Sequence, residues 1–157
     1  MIKISIPGRQ ITLVLENLLL DLNGTLAVDG ILIDGVKDRI EILKHKLKIY
    51  ILTADTYGVG RDIAKELEVE LLKVNQDNGA QDKLDILNTL QAENSVAIGN
   101  GYNDRLMLAN AGLSIIVLQA EGCSMEAMQA ADIAVKSITD ALDLLICPLR
   151  VIATLRA

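Results

Sequence analysis

The chain has 157 residues, of which 51% are hydrophobic and 23% are charged, so it is long and apolar enough to form one domain with a buried core. Lys and Arg number 15 against 21 Asp and Glu, for a net charge of −6, and this negative balance argues against nucleic acid or an anionic membrane as a partner. We predict a single domain over residues 1–157, with small molecules or other proteins as partners.

The residue types exclude further classes of site. There is no Trp or Phe and there are three Tyr, which leaves no base-stacking platform for single-stranded nucleic acid. His45, the one histidine, lies among lysines and predicts a solvated residue, so histidine triads and zinc sites lose their support. Cys123 and Cys147 lack metal-ligand spacing, and we interpret both as packing residues of a protein in a reducing compartment.

The N-terminal segment predicts a β-hairpin rather than a targeting signal. Residues 2–6 and 11–15 alternate like strands around turn residues at 7–10, and we expect this hairpin to cover a sheet edge. The segment lacks the long apolar region of a signal peptide. No apolar run in the chain approaches the ~20 residues that span a bilayer. A cytoplasmic location is therefore expected.

The next apolar run predicts a buried strand that ends in a carboxylate. Leu18, Leu19 and Leu20 run directly into Asp21, and a glycine and a hydroxyl residue follow shortly after. In open α/β sheets, ligands bind at the carboxyl ends of such strands. Glycine-containing turns between residues 24 and 35 indicate a short flap after this strand and not a second domain.

The rest of the chain alternates between helical and strand-like periods. Helices are predicted at 36–46, 59–67, 82–90, 104–110, 124–130 and 137–146, with a further turn after Pro148, and strands at 48–52, 70–74, 95–98, 113–118 and 132–135. Strands separated by helices of about ten residues are typical of right-handed βαβ units. We predict an α/β fold with a doubly wound, mainly parallel sheet and helices on both faces.

Polar side chains follow three of these strands, and a lysine opens a helix beside them. They are Asp21 and Asn23, then Thr53 and Asp55, then Asn100, Asn103 and Asp104, with Lys83 on the helix. If the strands are parallel neighbours, these groups converge at one edge. They supply a nucleophile, a hydroxyl and a cation for phosphoryl oxygens, and oxygen ligands for Mg²⁺. Viewed singly, Thr53 could cap a helix and Lys83 could be solvated.

Order and spacing of these residues resemble the haloacid dehalogenase (HAD) superfamily of phosphotransferases. Asp21-Leu22-Asn23-Gly24-Thr25 matches its first motif, Thr53 the second, Lys83 the third, and Gly99-Asn100-Gly101-Tyr102-Asn103-Asp104 the fourth. Within the superfamily, the last motif and Thr53-Ala54-Asp55 are most similar to the phosphorylation domain of P-type ATPases. The short stretch between Thr25 and Thr53 leaves no room for the nucleotide-binding insertion of those pumps. The resemblance implies a free-standing, soluble HAD-like Rossmannoid domain without a cap domain.

The resemblance also implies a role for each motif residue. Asp21 would attack phosphorus and form an aspartyl phosphate, Thr53 would hydrogen-bond the phosphoryl group, and Lys83 would neutralise its charge. Mg²⁺ would be held by the Asp21 carboxylate, the Asn23 backbone carbonyl and Asp104, with the amide oxygen of Asn100 beside them. The substrate would be a phosphorylated small molecule or a protein-bound phosphate.

Two amides depart from the superfamily pattern. Asn23 stands where the general acid–base aspartate usually is, and Asn100 stands where the last motif often begins its acidic pair. General acid–base help is typically worth ~10²–10⁴-fold, and an amide does not shuttle protons at neutral pH, so turnover should be slow. P-type ATPases carry Thr at the first of these positions, and their aspartyl phosphate is long-lived. The loss of two negative charges should also weaken Mg²⁺ binding.

Three functions remain open on the sequence. The first is a slow Mg²⁺-dependent phosphohydrolase or phosphotransferase acting through Asp21; the second is a catalytically retired or phospho-regulated HAD-fold module that binds a protein partner. A bacterial receiver domain fits less well, because its acidic pair follows its first strand and its phosphorylated Asp the third. ATP as donor lacks support from a phosphate-binding loop. A capless site should be open to solvent, or covered by a second copy in a homo-oligomer or by a protein partner.

Overall fold

The computed structural model of the chain describes residues 1–54 and 58–157. Its strands are β1 Ile2–Ile6, β2 Ile11–Leu15, β3 Asn17–Asp21, β4 Ala27–Val28, β5 Ile31–Leu32, β6 Lys48–Thr53, β7 Glu70–Lys73, β8 Ser95–Gly99, β9 Leu113–Val117 and β10 Ile133–Val135. Its helices are α1 Val36–Lys44, α2 Gly60–Leu67, α3 Gly79–Thr89, α4 Arg105–Asn110, α5 Met125–Ala130, α6 Ile138–Ile146 and α7 Leu149–Leu155, with 3₁₀ turns at Ala92–Asn94 and Tyr102–Asp104.

A parallel sheet of six strands positions everything else. In the described part of the chain its order is β10-β9-β8-β3-β6-β7, and every neighbouring pair is parallel. All five residues of β3 are buried, because this strand lies between β8 and β6 and is covered on both faces. The predicted doubly wound, mainly parallel sheet is confirmed.

Two hydrophobic clusters lie on opposite faces of the sheet, and β3 contributes to both. Leu18 and Leu20 pack in the cluster that includes Ile40 of α1 and Leu142 of α6. Leu19 packs in the other, with Leu87 of α3. This alternation follows from the two-residue period of a strand. Helices therefore cover both faces, as predicted.

The N-terminal hairpin forms, but as a sheet of its own. β1 and β2 pair antiparallel with Ile2 opposite Leu15, and among the described strands neither joins the six-stranded sheet. The alternation of β1 buries Ile2, Ile4 and Ile6 in the larger core cluster, so the hairpin adds to that core and does not extend an edge.

The flap predicted after β3 is the antiparallel pair β4 and β5, only two residues each. This pair is the only sheet structure between β3 and α1 within the described residues, so the expected absence of a cap domain agrees with the fold. Ile31 at this hairpin is 73% exposed. Between β3 and α1, the described chain therefore forms a small hairpin and not a second domain.

Several predicted boundaries and environments change. α3 begins at Gly79, three residues before the prediction, so Lys83 lies in its second turn and does not open the helix. Cys123 packs beside the second core cluster as predicted, whereas the prediction for Cys147 is wrong: it is exposed at the end of α6, just before Pro148.

In the described part of the chain, no helix has the length and apolar character needed to cross a membrane.

Candidate active site

Strand register brings three of the predicted site segments to one edge of the sheet. Asp21 ends β3 opposite Leu52 of β6, so Thr53 follows one residue beyond it. On the other side of β3, Leu20 pairs with Ile98 of β8, and Asn100 follows the end of that strand. The carboxyl ends of three adjacent parallel strands thus meet, which is where open α/β sheets place their ligands.

The loop after β3 folds tightly around a left-handed glycine. Gly24 has φ +78, a conformation that residues with a Cβ rarely adopt, and a Cβ there would lie 2.4 Å from the side-chain amide nitrogen of Asn100. This turn places Thr25 Oγ1 3.1 Å from Asp21 Oδ2 and 3.2 Å from Asn100 Oδ1. The one hydroxyl proton can be donated to either oxygen, so Thr25 links the loops that follow β3 and β8.

Lys83 is the cation of the site. Its side chain is fully buried, and Nζ lies 2.6 Å from Asp21 Oδ1 and 2.6 Å from Asp104 Oδ1. The solvated alternative for this lysine is therefore wrong. A buried ammonium is stable only when paired, and here two carboxylates pair with it.

Asp104 is held by the backbone of its own loop. Its Oδ2 accepts hydrogen bonds from Asn100 N at 3.0 Å and Gly101 N at 2.8 Å, while Oδ1 pairs with Lys83. A Cβ at Gly99 would lie 2.4 Å from this carboxyl group, so the close approach requires a glycine there. The 3₁₀ turn at Tyr102–Asp104 therefore aims the carboxylate inward, fully buried.

Burial and neighbouring charges shift the pKa of Asp21 and the pKa of Lys83. Burial, followed by the negative charge of Asp104, raises the pKa of Asp21 to about 6, and Lys83 and the Thr25 hydroxyl only partly offset this. Burial lowers the pKa of Lys83, but the charges of Asp104 and Asp21 outweigh it and raise that pKa overall. At neutral pH the group is two carboxylates sharing one ammonium, with a net charge of −1.

The raised pKa of Asp21 predicts a pH-dependent stability of the metal-free protein. The folded-state pKa of about 6 lies above the ordinary 3.8, so this contribution is fully present below about pH 3.8 and is lost as pH rises through about 6. The difference corresponds to roughly 3 kcal/mol. Urea unfolding in EDTA from about pH 4 to pH 8 should show Asp21→Asn gaining stability relative to wild type across this window. A difference between the two that does not vary with pH would contradict the prediction.

Lys83→Met should destabilise the metal-free protein by about 3–5 kcal/mol at neutral pH, because it leaves Asp21 and Asp104 buried without a counter-charge. Urea unfolding measures the loss, and Lys65→Met on the exposed surface of α2 is the control. Adding Asp21→Asn to Lys83→Met should recover part of the loss. No recovery in the double variant would mean that charge repulsion is not the cause.

The donor set of the site suits a hard cation. Asp21 and Asp104 offer carboxylate oxygens, Asn100 offers an amide oxygen, and all three residues are at least nine-tenths buried. Over residues 1–54 and 58–157, no group of three His, Cys, Asp or Glu side chains is placed to hold a metal, and amides stand at positions 23 and 100. The site therefore offers two carboxylates as ligands for a cation, and both of them also pair with Lys83.

Asn23 is half-buried two residues beyond Asp21, and its side-chain oxygen is buried with no hydrogen-bond partner among the described residues. A buried acceptor without a donor costs about 1–3 kcal/mol. The superfamily pattern has a general acid–base aspartate at this position. The amide oxygen that stands there in this chain is buried and accepts no hydrogen bond from the described residues.

The remaining predicted residues differ in their environment. Thr53 is buried at the end of β6. Tyr102 and Asn103 are exposed, and the Arg105 guanidinium stacks 3.8 Å from the centre of the Tyr102 ring. The prediction for Asp55 falls outside the described residues. His45 is exposed, as predicted.

Sequence reasoning missed one residue that contacts the loop after Asp21, residues 22–27. Gln119 donates from Nε2 to the carbonyl oxygens of Gly24 at 3.0 Å and Thr25 at 2.9 Å. It follows β9 just as the predicted site residues follow β3, β6 and β8. The same rule about strand ends could have identified it, but it belongs to none of the four motifs.

Comparison with known proteins supports the resemblance seen in the motifs. A family model described as haloacid dehalogenase-like hydrolase matches residues 5–112. An uncharacterized protein of Methanocaldococcus jannaschii is 49% identical over 78 residues, 47% of this chain and 84% of that protein. A soluble P-type ATPase-like phosphatase of the same organism is 27% identical over 123 residues, 76% of this chain and 45% of the relative. This chain thus spans less than half of that relative's length.

A solved structure shares the fold. It is 3-deoxy-D-manno-octulosonate 8-phosphate phosphatase from Moraxella catarrhalis, in complex with magnesium, phosphate and a KDO molecule, with a TM-score of 0.69 at 17% identity over 88% of this chain and 90% of that one. The family match covers more than half of the chain and includes all four motifs. The chain belongs to the haloacid dehalogenase-like hydrolases, and it is similar to a soluble P-type ATPase-like phosphatase.

Proposed function

We propose that this protein is a Mg²⁺-dependent phosphatase or phosphotransferase that acts through an aspartyl phosphate on Asp21. The observation that carries the proposal is the position of this carboxylate. It lies at the end of the central strand, with one oxygen 2.6 Å from Lys83 Nζ and the other 3.1 Å from Thr25 Oγ1. A carboxylate fixed by a cation and a hydroxyl is oriented for attack, and both partners can stabilise charge on a transferring phosphoryl group.

Two displacement steps describe the reaction. In the first, a carboxylate oxygen of Asp21 attacks the phosphorus of a phosphate ester and an O–P bond forms. The bond between phosphorus and the ester oxygen breaks with its electron pair on that oxygen, which takes a proton from solvent to give the alcohol. In the second, water attacks the phosphorus of the aspartyl phosphate and gives up a proton to solvent, and the O–P bond to Asp21 breaks, which releases phosphate and restores the carboxylate. An alcohol in place of water gives phosphotransfer.

Asp21, Asp104, the amide oxygen of Asn100 and the Asn23 backbone carbonyl are the groups that would hold Mg²⁺. Oxygen donors of this kind are what Mg²⁺ prefers, and the bound cation would supply charge neutralisation for the phosphoryl oxygens. Lys83 supplies a fixed positive charge from the protein, while Thr53 lies buried at the neighbouring strand end and would hydrogen-bond the phosphoryl group. The magnesium ion in the Moraxella catarrhalis complex supports the use of a divalent cation.

The substrate class follows from the open edge of the sheet. The flap that follows residues 22–27, here called the nucleophile loop, has strands of only two residues each, and Gln119 contacts this loop from the segment after β9. We expect a phosphorylated small molecule or a protein-bound phosphate. Similarity to a soluble P-type ATPase-like phosphatase supports phosphate ester hydrolysis. A second copy or a protein partner could cover the open side, and we propose a cytoplasmic location.

Phosphoenzyme formation tests the proposal. The protein is incubated with p-nitrophenyl phosphate or acetyl phosphate and Mg²⁺, quenched in acid, and mapped by mass spectrometry. We expect one phosphoryl group on the peptide that contains Asp21, and none in EDTA. The long-lived intermediate follows from Asn23, which leaves the second displacement without a general base. Folded protein that carries no phosphoryl group at Asp21 with either donor would overturn the proposal.

A second candidate is a catalytically retired module, and the two amides favour it. Asn23 and Asn100 remove two carboxylates, and the described residues lack a three-carboxylate metal site. Beryllium fluoride with Mg²⁺ mimics a phosphorylated aspartate. A rise in the melting temperature with both additives, absent in Asp21→Asn, favours the enzyme; no rise in wild type favours the retired module.

A further inference from the structure

We propose that Gln119 is a positioning residue that holds the nucleophile loop in its reactive shape. The inference rests on the proposed function for its catalytic consequence, but not for its structural one. Gln119 lies outside residues 5–112, which the family model matches, so no family motif assigns it a role. It follows β9, which is two strands away from β3 in the sheet.

Every polar atom of the Gln119 side chain has a partner. Both amide hydrogens are directed to backbone carbonyls, Gly24 O at 3.0 Å and Thr25 O at 2.9 Å. The side-chain carbonyl accepts from Ile138 N at 2.7 Å. Two acceptors on one side and one donor on the other allow only one orientation of the amide. The side chain therefore acts as a fixed bridge between the nucleophile loop and the first turn of α6.

This bridge acts on the nucleophile through Thr25. The backbone carbonyl of Thr25 accepts a hydrogen bond from Gln119, and the Thr25 hydroxyl lies within hydrogen-bond distance of Asp21 Oδ2 and Asn100 Oδ1. A shift of the Thr25 backbone would move the hydroxyl away from both. Gly24 leaves no side chain that could replace the lost restraint, and its left-handed φ makes the turn dependent on hydrogen bonds around it.

The segment that carries Gln119 also holds the loop after β8. Asn100 Nδ2 donates to Gly122 O at 3.0 Å, and Ser124 N donates to Asn100 O at 2.8 Å. Residues 118–124 therefore connect the loop of the nucleophile and the loop of Asn100 and Asp104. Gln119 connects this segment to the nucleophile loop through its hydrogen bonds to Gly24 and Thr25.

Two Gln119 variants and one control distinguish the hydrogen bonds to the nucleophile loop from the hydrogen bond to α6. Gln119→Met keeps the length and removes all hydrogen bonds of the side chain. Gln119→Glu keeps an acceptor for Ile138 N but removes both donors to Gly24 and Thr25. Gln129→Met, an exposed glutamine of α5, is the matched control.

The kinetic readout uses p-nitrophenyl phosphate with Mg²⁺. We expect kcat to fall about 10- to 100-fold in both Gln119 variants, because a displacement of about 1 Å in a reacting group has an effect of this size. KM should stay within about twofold, since the contact positions a reacting group and does not bind substrate. Wild-type kcat in Gln119→Met would overturn the inference, as would a loss confined to Gln119→Met.

The structural readout is hydrogen–deuterium exchange and does not depend on activity. Amides of the nucleophile loop are protected by bonds such as Thr25 N to Leu22 O at 3.2 Å and Ala27 N to Leu22 O at 3.0 Å. Peptides covering residues 22–27 should exchange at least about tenfold faster in Gln119→Met and Gln119→Glu, while peptides from β9 keep wild-type rates. If wild type has no activity, the proposed function fails, yet unchanged exchange would still overturn the positioning role and faster exchange would support it.

Discussion

Asp21→Asn is expected to reduce phosphate release from p-nitrophenyl phosphate by at least about 10³-fold, because an amide is not a nucleophile toward phosphorus and cannot form the acyl phosphate. The variant should remain folded. The amide is isosteric with the carboxylate, and it relieves the charge excess between Asp21 and Asp104, whose oxygens share Lys83.

Activity is measured as nitrophenolate release at saturating Mg²⁺, with Asp85→Asn as the control on the exposed side of α3. The control should match wild type. Mass spectrometry of the same samples should show a phosphoryl group in wild type and in the control, and none in Asp21→Asn. Wild-type turnover in Asp21→Asn would exclude the aspartyl phosphate mechanism. Equal loss in Asp85→Asn would show that the effect is not local.

Asn23→Asp is expected to raise turnover by about 10²-fold or more, within the ~10²–10⁴-fold range of general acid–base catalysis. The exchange breaks no hydrogen bond of the Asn23 side-chain oxygen, because that oxygen is buried without a partner among the described residues. A carboxyl group of the same shape can give a proton to the leaving alcohol in the first step and accept one from water in the second. The phosphorylated fraction of Asp21 should fall at the same time, since its hydrolysis is the step now assisted.

Two measurements check this result: steady-state kcat with p-nitrophenyl phosphate, and the level of phosphoenzyme after an acid quench. Asn110→Asp, on the exposed end of α4, is the matched control and should change neither. An unchanged kcat with an unchanged phosphoenzyme level in Asn23→Asp would place the acid–base position elsewhere. A lower kcat with normal folding would indicate that the charge added two residues from Asp21 outweighs the benefit of proton transfer.

The two experiments together distinguish a slow enzyme from a retired one. A retired fold loses nothing in Asp21→Asn and gains nothing in Asn23→Asp. A slow enzyme loses its activity in the first variant and turns over faster in the second. Lys83 makes the slow enzyme the better supported reading, because a fully buried ammonium 2.6 Å from two carboxylates is a costly arrangement to retain in a fold that no longer uses it.

Most of the fold could be predicted because the signals are local. The run of leucines before Asp21 has the length and composition of a buried strand, and the alternation of residues 2–6 places Ile2, Ile4 and Ile6 on one face. Helix ends were less accurate. α3 begins at Gly79 and not at residue 82, because the first turn carries polar residues that have no apolar period, and Cys147 is exposed where its apolar neighbours predicted packing.

The candidate site was predictable only as a set of residues at strand ends. That Thr53 and Asn100 follow the two strands beside β3 depends on the order β8-β3-β6, which no local pattern contains. The bridge of Gln119 to Gly24 and Thr25 depends on the path of the chain after β9 and was not predicted at all. A glutamine has no periodic signal, and its partners are backbone carbonyls whose positions exist only in the folded chain.

The sequence by itself determined the motif around Asp21, the parallel α/β class and the presence of amides at positions 23 and 100, because these depend on residue type and short spacing. The tertiary structure decided that Lys83 is buried between Asp21 and Asp104, 62 and 21 residues away along the chain. The physical reason is that charge burial depends on long-range packing. Only when β3, β8 and α3 are assembled does a lysine that could have been solvated become the shared counter-charge of two carboxylates, and the burial that this assembly causes is also what raises the pKa of Asp21.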